Sequence, residues 1–169
     1  MKLQYNITMQ HLVDFNLYHA KNSKYFRIKF LLLMIILPII MGLYILFTVI
    51  MGSFSLAAVI IPAVVSLAWV LLYPTIFKKS IATSVVNLYS EGKNHEVLTA
   101  HTLSLENGKL VEETGNSRNE QAIATIENII ETPEYVFIYL SAMTAHIIPR
   151  KEIADSKLLD EFVKALKEG

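Results

Sequence analysis

Between Lys29 and Lys78 the chain carries no Asp, Glu, Lys, Arg or His, a run of 48 consecutive residues without a formal charge. A helix facing water needs polar side chains along one face. In the core of the run Thr48, Ser53, Ser55 and Ser66 are too few and too scattered to supply one. A lipid bilayer is the solvent that suits such a run. Residues 30–51 form a first stretch of 22 residues, which as a helix spans roughly 33 Å, enough for the hydrocarbon core. Gly52 and Ser53 offer a short turn, and residues 54–77 supply a second span. Pro38 and Pro62 lie inside the spans, where proline is tolerated and kinks a helix. Hinge and static kink both remain open readings.

Basic residues bracket the outer ends of this hairpin. Lys21, Lys24, Arg27 and Lys29 precede the first span, Lys78 and Lys79 follow the second, and the connecting loop has none. The positive-inside rule then predicts a multi-pass protein of the cell membrane with both termini cytoplasmic. These six residues are candidate membrane-surface contacts for anionic headgroups. Topology and snorkelling alone also account for them. Trp69 and Tyr73 approach the end of the second span, where amphipathic rings favour the interface. The run is far longer than the apolar core of a cleavable signal, so the anchor is expected to remain.

Outside the run the charge is uneven. Residues 1–29 carry five Lys/Arg against Asp14 alone, whereas residues 80–169 carry eight Lys/Arg against fourteen Asp/Glu. The acidic part argues against nucleic-acid binding, which needs a basic surface to displace counterions. The chain has no cysteine, which excludes disulfides, thiolate catalysis and thiolate zinc sites.

In residues 2–7 polar and apolar side chains alternate, with Leu3, Tyr5 and Ile7 on one face, which predicts a strand. Thr8 can cap a helix from Met9 to about Ala20, with Leu12, Phe15 and His19 on one face. Beyond the second span, Ile81, Val85, Leu88 and Tyr89 continue a helix that stops near Gly92. Strands are expected over 97–106 and 109–114, joined by Asn107-Gly108, a strong hairpin signal because both residues tolerate positive φ. After a turn at Gly115-Asn116-Ser117, strands follow within 120–132, over 135–141 and over 144–148, with turns at Pro133-Glu134 and Ala142-Met143. Pro149 ends the sheet. From Asp155 to Lys167 the residues Leu158, Leu159, Phe162, Val163 and Leu166 form one stripe, with Asp155 or Ser156 as cap. The fold class is a membrane α+β chain. It comprises a cytoplasmic N-terminal strand and helix (1–29), a transmembrane hairpin (30–77), a juxtamembrane helix (78–95) and a cytoplasmic antiparallel β domain closed by an amphipathic helix (96–169).

The stretches NLYSEGKN (87–94), ENGKL (106–110), IENIIETPEYVFIYLS (126–141) and AHIIPRKEI (145–153), together with YNIT (5–8) ahead of the helix and two spans, resemble YcxB-like proteins. The resemblance covers nearly the whole chain, and its motifs are structural rather than chemical. It implies that the C-terminal part has a pleckstrin-homology-like fold. Members often carry Trp before the strand that here reads Ala124-Thr125-Ile126; this chain lacks it, and no role is carried over for that position. The family offers a fold and a topology but no established activity.

No chemical motif stands out. His11 and His19 are eight residues apart, not the i, i+4 spacing of a helical metal pair; with His95, His101 and His146 they read as ordinary surface or half-buried histidines. G-x-S-x-G, P-loop and G-x-G-x-x-G patterns are absent. Glu112 and Glu113 are strand neighbours on opposite faces and read as solvated charge. Arg150 and Lys151 are candidates for a small anionic-ligand contact. The spans hold no ionisable side chain other than Tyr44 and Tyr73, which argues against a pump or transporter acting alone.

The expectation is therefore a non-enzymatic membrane-anchored binding or scaffold protein, without cofactor, metal or small-molecule substrate. Its partners are the lipid bilayer and either a protein or further copies of itself. The alternative is an accessory or immunity-type subunit that recognises a membrane partner through its spans, using Gly42, Gly52, Ala57, Ala58, Ala63 and Ala68 for close packing.

Overall fold

The structure is a computed structural model that describes residues 1–91, 97–115 and 117–168. The expected helix stop at Gly92, together with His95 and the middle of the Gly115-Asn116-Ser117 turn, lies outside the described residues. Two compact units emerge: Met1–Phe15 with Val85–Gly169, and Asn16–Ser84 between them in sequence.

The first unit begins with β1 (Lys2–Asn6), whose alternation buries Leu3 and Tyr5. Its partner comes from the far side of the hairpin in sequence. β1 pairs antiparallel with β2 (Ala100–Glu106), setting Leu3 opposite Leu103 and Tyr5 opposite His101. The N-terminal strand is thus part of the β domain. Thr8 Oγ1 accepts the His11 N–H at the start of α1 (Met9–Asn22), as its capping position requires. From α1, Leu12 and Phe15 are buried, and the Phe15 ring meets Phe137 and Tyr139.

β2 turns at Asn107-Gly108, both with positive φ, into β3 (Lys109–Thr114). β3 pairs in turn with β4 (Ser117–Ala122), giving a four-stranded sheet in the order β1-β2-β3-β4. The segment expected to be strand from residue 120 is divided. β4 begins earlier, at Ser117, and a single 3-10 turn over Ile123–Thr125 separates it from β5 (Asn128–Glu131). The turn redirects the chain into a second sheet, β5-β6-β7, with β6 at Tyr135–Tyr139 and β7 at Ala145–Pro149. Val136, Phe137 and Ile138 are all buried, so β6 is covered on both faces and its sequence is continuously apolar rather than alternating.

Asp155 Oδ1 accepts the N–H groups of Lys157 and Leu158 and caps α4 (Ser156–Glu168). Leu159, Phe162, Val163 and Leu166 bury its apolar stripe, while Leu158 stays half-buried.

The second unit contains the helical hairpin of α2 (Lys24–Ile50) and α3 (Leu56–Ser90). Both are long and apolar enough to cross a membrane. The helices run alongside one another, with Phe30 against Tyr73 and Phe77 and the Trp69 indole N–H donating to the Leu33 carbonyl. Their outer surface is apolar: Leu43, Ile61 and Leu71 are each exposed by 60% or more. Pro38, Pro62 and also Pro74 lie within helix. At the connection Gly52 takes φ +65°, and Ser55 Oγ accepts the Ala58 N–H to start α3. The helix hydroxyl of Thr48 is satisfied by donating to the Ile45 carbonyl.

Candidate binding cleft and basic belt

Strand pairing alone places most of the site. Tyr5 lies opposite His101, Leu103 opposite Glu112, Glu112 opposite Asn119, and Leu110 opposite Gln121. Directly paired residues share a face, and so do residues two apart on one strand. One face of the four-stranded sheet therefore carries Tyr5, His101, Glu112, Asn119 and Gln121. His146 approaches the same carboxylate from β7 of the second sheet.

Glu112 Oε1 receives two imidazole N–H groups, from His101 Nδ1 at 2.9 Å and from His146 Nδ1 at 3.2 Å. His101 also directs Nε2 to the Val97 carbonyl at 2.9 Å. Both its nitrogens thus face acceptors, which selects the imidazolium form. Burial pushes the His101 pKa down, but the Glu112 hydrogen bond, the Val97 carbonyl and the Glu112 charge outweigh it, and the net direction is up. Burial alone would raise Glu112; the hydrogen bonds and charges of the two histidines prevail and hold it down at about 2. The Tyr5 ring stacks on His101 at 5.7 Å, and burial, with the Glu112 charge, raises its phenol well above the usual range.

This cluster lines a cleft of about 930 Å³ within the first unit. Tyr5, Phe15, His101, Glu112, Gln121 and His146 form part of its wall, which mixes ring and aliphatic surface with carboxylate, imidazole and amide. Among the described residues no group of three or more His, Cys, Asp or Glu side chains could hold a metal ion. Three of the four imidazole nitrogens here are engaged with Glu112 or Val97.

The reading of Glu112 as solvated charge is corrected, because its side chain is 16% exposed and ion-paired. Glu113 does point the other way, to Arg118 on the outer face, where Glu106 and Glu120 also pair with that guanidinium. Of the two residues expected to offer an anionic-ligand contact, Arg150 already has partners within the protein. Arg150 donates to the Thr132 carbonyl and pairs with Glu131 and Asp160, so its guanidinium is consumed in clasping β5 and α4. Lys151 is exposed beside it. His11 accepts the Thr8 N–H and sets its ring edge-on to Tyr135, while His19 meets Phe26 edge-on.

Lys21, Lys24, Arg27, Lys29, Lys78 and Lys79 are all exposed. The contact of Phe30 with Phe77 brings Lys29 and Lys78, and with them their basic neighbours, to the same end of the hairpin. The six form a belt there, with the charge-free length of both helices beyond it.

The model of the YcxB-like protein family matches residues 105–166, from the end of β2 into α4, which bears out the resemblance for that segment. The match includes Glu112 and His146 and excludes β1, His101 and the hairpin. No curated protein and no solved structure gives a match.

Proposed function

We propose that this chain is a non-enzymatic, membrane-anchored binding protein that presents a pleckstrin-homology-like module on the cytoplasmic side to a protein partner. The observation that carries this reading is the insertion of the charge-free hairpin between two halves of one β domain. A module formed from both ends of the chain is tied to the anchor by two connections, one in α1 and one in α3. The succession of a four-stranded sheet, a three-stranded sheet and a closing helix supports the pleckstrin-homology-like assignment, as does the YcxB-like match. The basic belt at one end of the hairpin supports an orientation with that end and both termini in the cytoplasm.

The acidic balance of residues 80–169 favours a basic partner surface over a phosphoinositide headgroup. Recognition is assigned to the β domain, and the spans serve as anchor. The test is to replace residues 30–77 by an unrelated two-span hairpin and to cross-link both the wild type and this chimera in native membranes. Capture of the same protein by the wild type and the chimera is the expected result. Capture lost with the native spans would move recognition into the membrane, and recovery of self-cross-links alone would defeat the reading.

A further inference from the structure

The cleft presents acceptors for which the described residues provide no donor. Glu112 takes both histidine N–H groups on Oε1, and among the described residues none bonds Oε2. His146 sets Nδ1 against Glu112, and no described residue bonds its Nε2. Gln121 Oε1 is buried and has no hydrogen-bond partner among the described residues. A buried acceptor without a donor is costly, and native structures seldom leave one unanswered without a reason. Gln121, with this buried acceptor, and Glu112, with an Oε2 that no described residue bonds, both line the cleft and call for a ligand that donates.

We propose that the cleft between the two sheets binds a primary ammonium or guanidinium group carried on an apolar stem. An ammonium offers three N–H donors and a guanidinium five, with no acceptor to clash with the carboxylate. Phe15, Leu12 and Ile147 supply apolar wall for the stem, and the Tyr5 ring lies beside the cluster. An anion would face the Glu112 carboxylate on the lining, and among the described residues no group could hold a metal ion. The chemistry is that of a Lys or Arg side chain on a basic peptide, or of a free alkylamine. The peptide source rests on the proposed function; the cation site itself does not.

The test uses the full chain in nanodiscs of zwitterionic lipid, titrated calorimetrically with an acetylated tri-lysine amide, with butylammonium and with an acetylated tri-norleucine amide. Saturable one-to-one binding of the lysine peptide, and none of the norleucine peptide, is expected. Gln121→Leu should weaken it roughly tenfold or more, since one charge-assisted acceptor is lost. Among the described residues the Gln121 amide holds no other part of the protein, so this variant is expected to keep the fold. Glu112→Gln should weaken binding at least as much. Binding of the peptide but not of butylammonium assigns a peptide source, and binding of both assigns a free amine as sufficient. Absence of binding by both amines, or binding that Gln121→Leu leaves unchanged, overturns the cation site. In that event a cross-linked partner captured equally by wild type and Gln121→Leu would leave the scaffold reading standing, so the two failures are distinguishable.

Discussion

Glu112 and His101 titrate in opposite senses around one hydrogen bond, and the consequence for stability can be worked out in sign. The Glu112 pKa is lowered in the folded protein from 4.5 to about 2, so its contribution is present above pH 4.5 and is lost as pH falls towards 2. The His101 pKa is raised above 6.5, so its contribution is present below pH 6.5 and is lost as pH rises through the folded value. Stability from this cluster is therefore greatest between about pH 4.5 and 6.5. Denaturant unfolding of the detergent-solubilised chain across pH should show that maximum, flattened in Glu112→Gln. Glu112→Ala removes the acceptor of two buried donors and should cost about 1–3 kcal/mol in the same assay. Half of this cluster was legible in the sequence. A two-residue Asn107-Gly108 turn makes Glu106 and Lys109 partners, and counting back puts Glu112 opposite Leu103 and diagonal to His101. His146 arrives from the other sheet, and no local pattern states how two sheets face each other. For the same reason Arg150 read as a free cation: Glu131 and Asp160 are close to it only once β5 and α4 have packed.

At the scale of elements, β1 binds the two ends of the sequence together. Leu3 is 1% exposed and its partner Leu103 is fully buried. A fragment of residues 97–169 would expose that edge of β2 and lose the Leu3, Tyr5 and Ile7 side chains from its core. It should therefore show no cooperative thermal transition, whereas adding a covalently linked 1–15 segment should restore one. The strand and its phase were readable from alternation; its partner, beyond the hairpin, was not. The converse holds for β4, which is almost wholly exposed and has no apolar alternation to announce it. Only its pairing with β3 defines it, and the Lys109–Glu120 pair and the Arg118 cluster populate its outer surface. The closing helix was the plainest element because stripe and cap agree. Asp155→Ala should cost about 1 kcal/mol through two unsatisfied N–H groups. Phe162→Ala, at a fully buried position, should cost about 3–5 kcal/mol. Urea titration measures both, and near-equal values would contradict the packing assigned to Phe162.

For the whole molecule, a 48-residue uncharged hairpin is inserted into a β domain whose C-terminal segment matches the YcxB-like family. The hairpin was legible because absence of charge over that length has one common physical reason. What the prolines at 38, 62 and 74 do was not legible, since helix continues through each of them. We propose that this hairpin crosses the cell membrane with the β domain on the cytoplasmic side. The chain lacks cysteine, so single exposed positions can be reported on without background. Ser53→Cys in the connecting turn and Lys164→Cys on α4 should be treated with a membrane-impermeant maleimide on intact cells. Labelling is expected at position 53 directly and at position 164 only after permeabilisation. Labelling of position 164 in intact cells, or recovery of either variant in the soluble fraction, would contradict it.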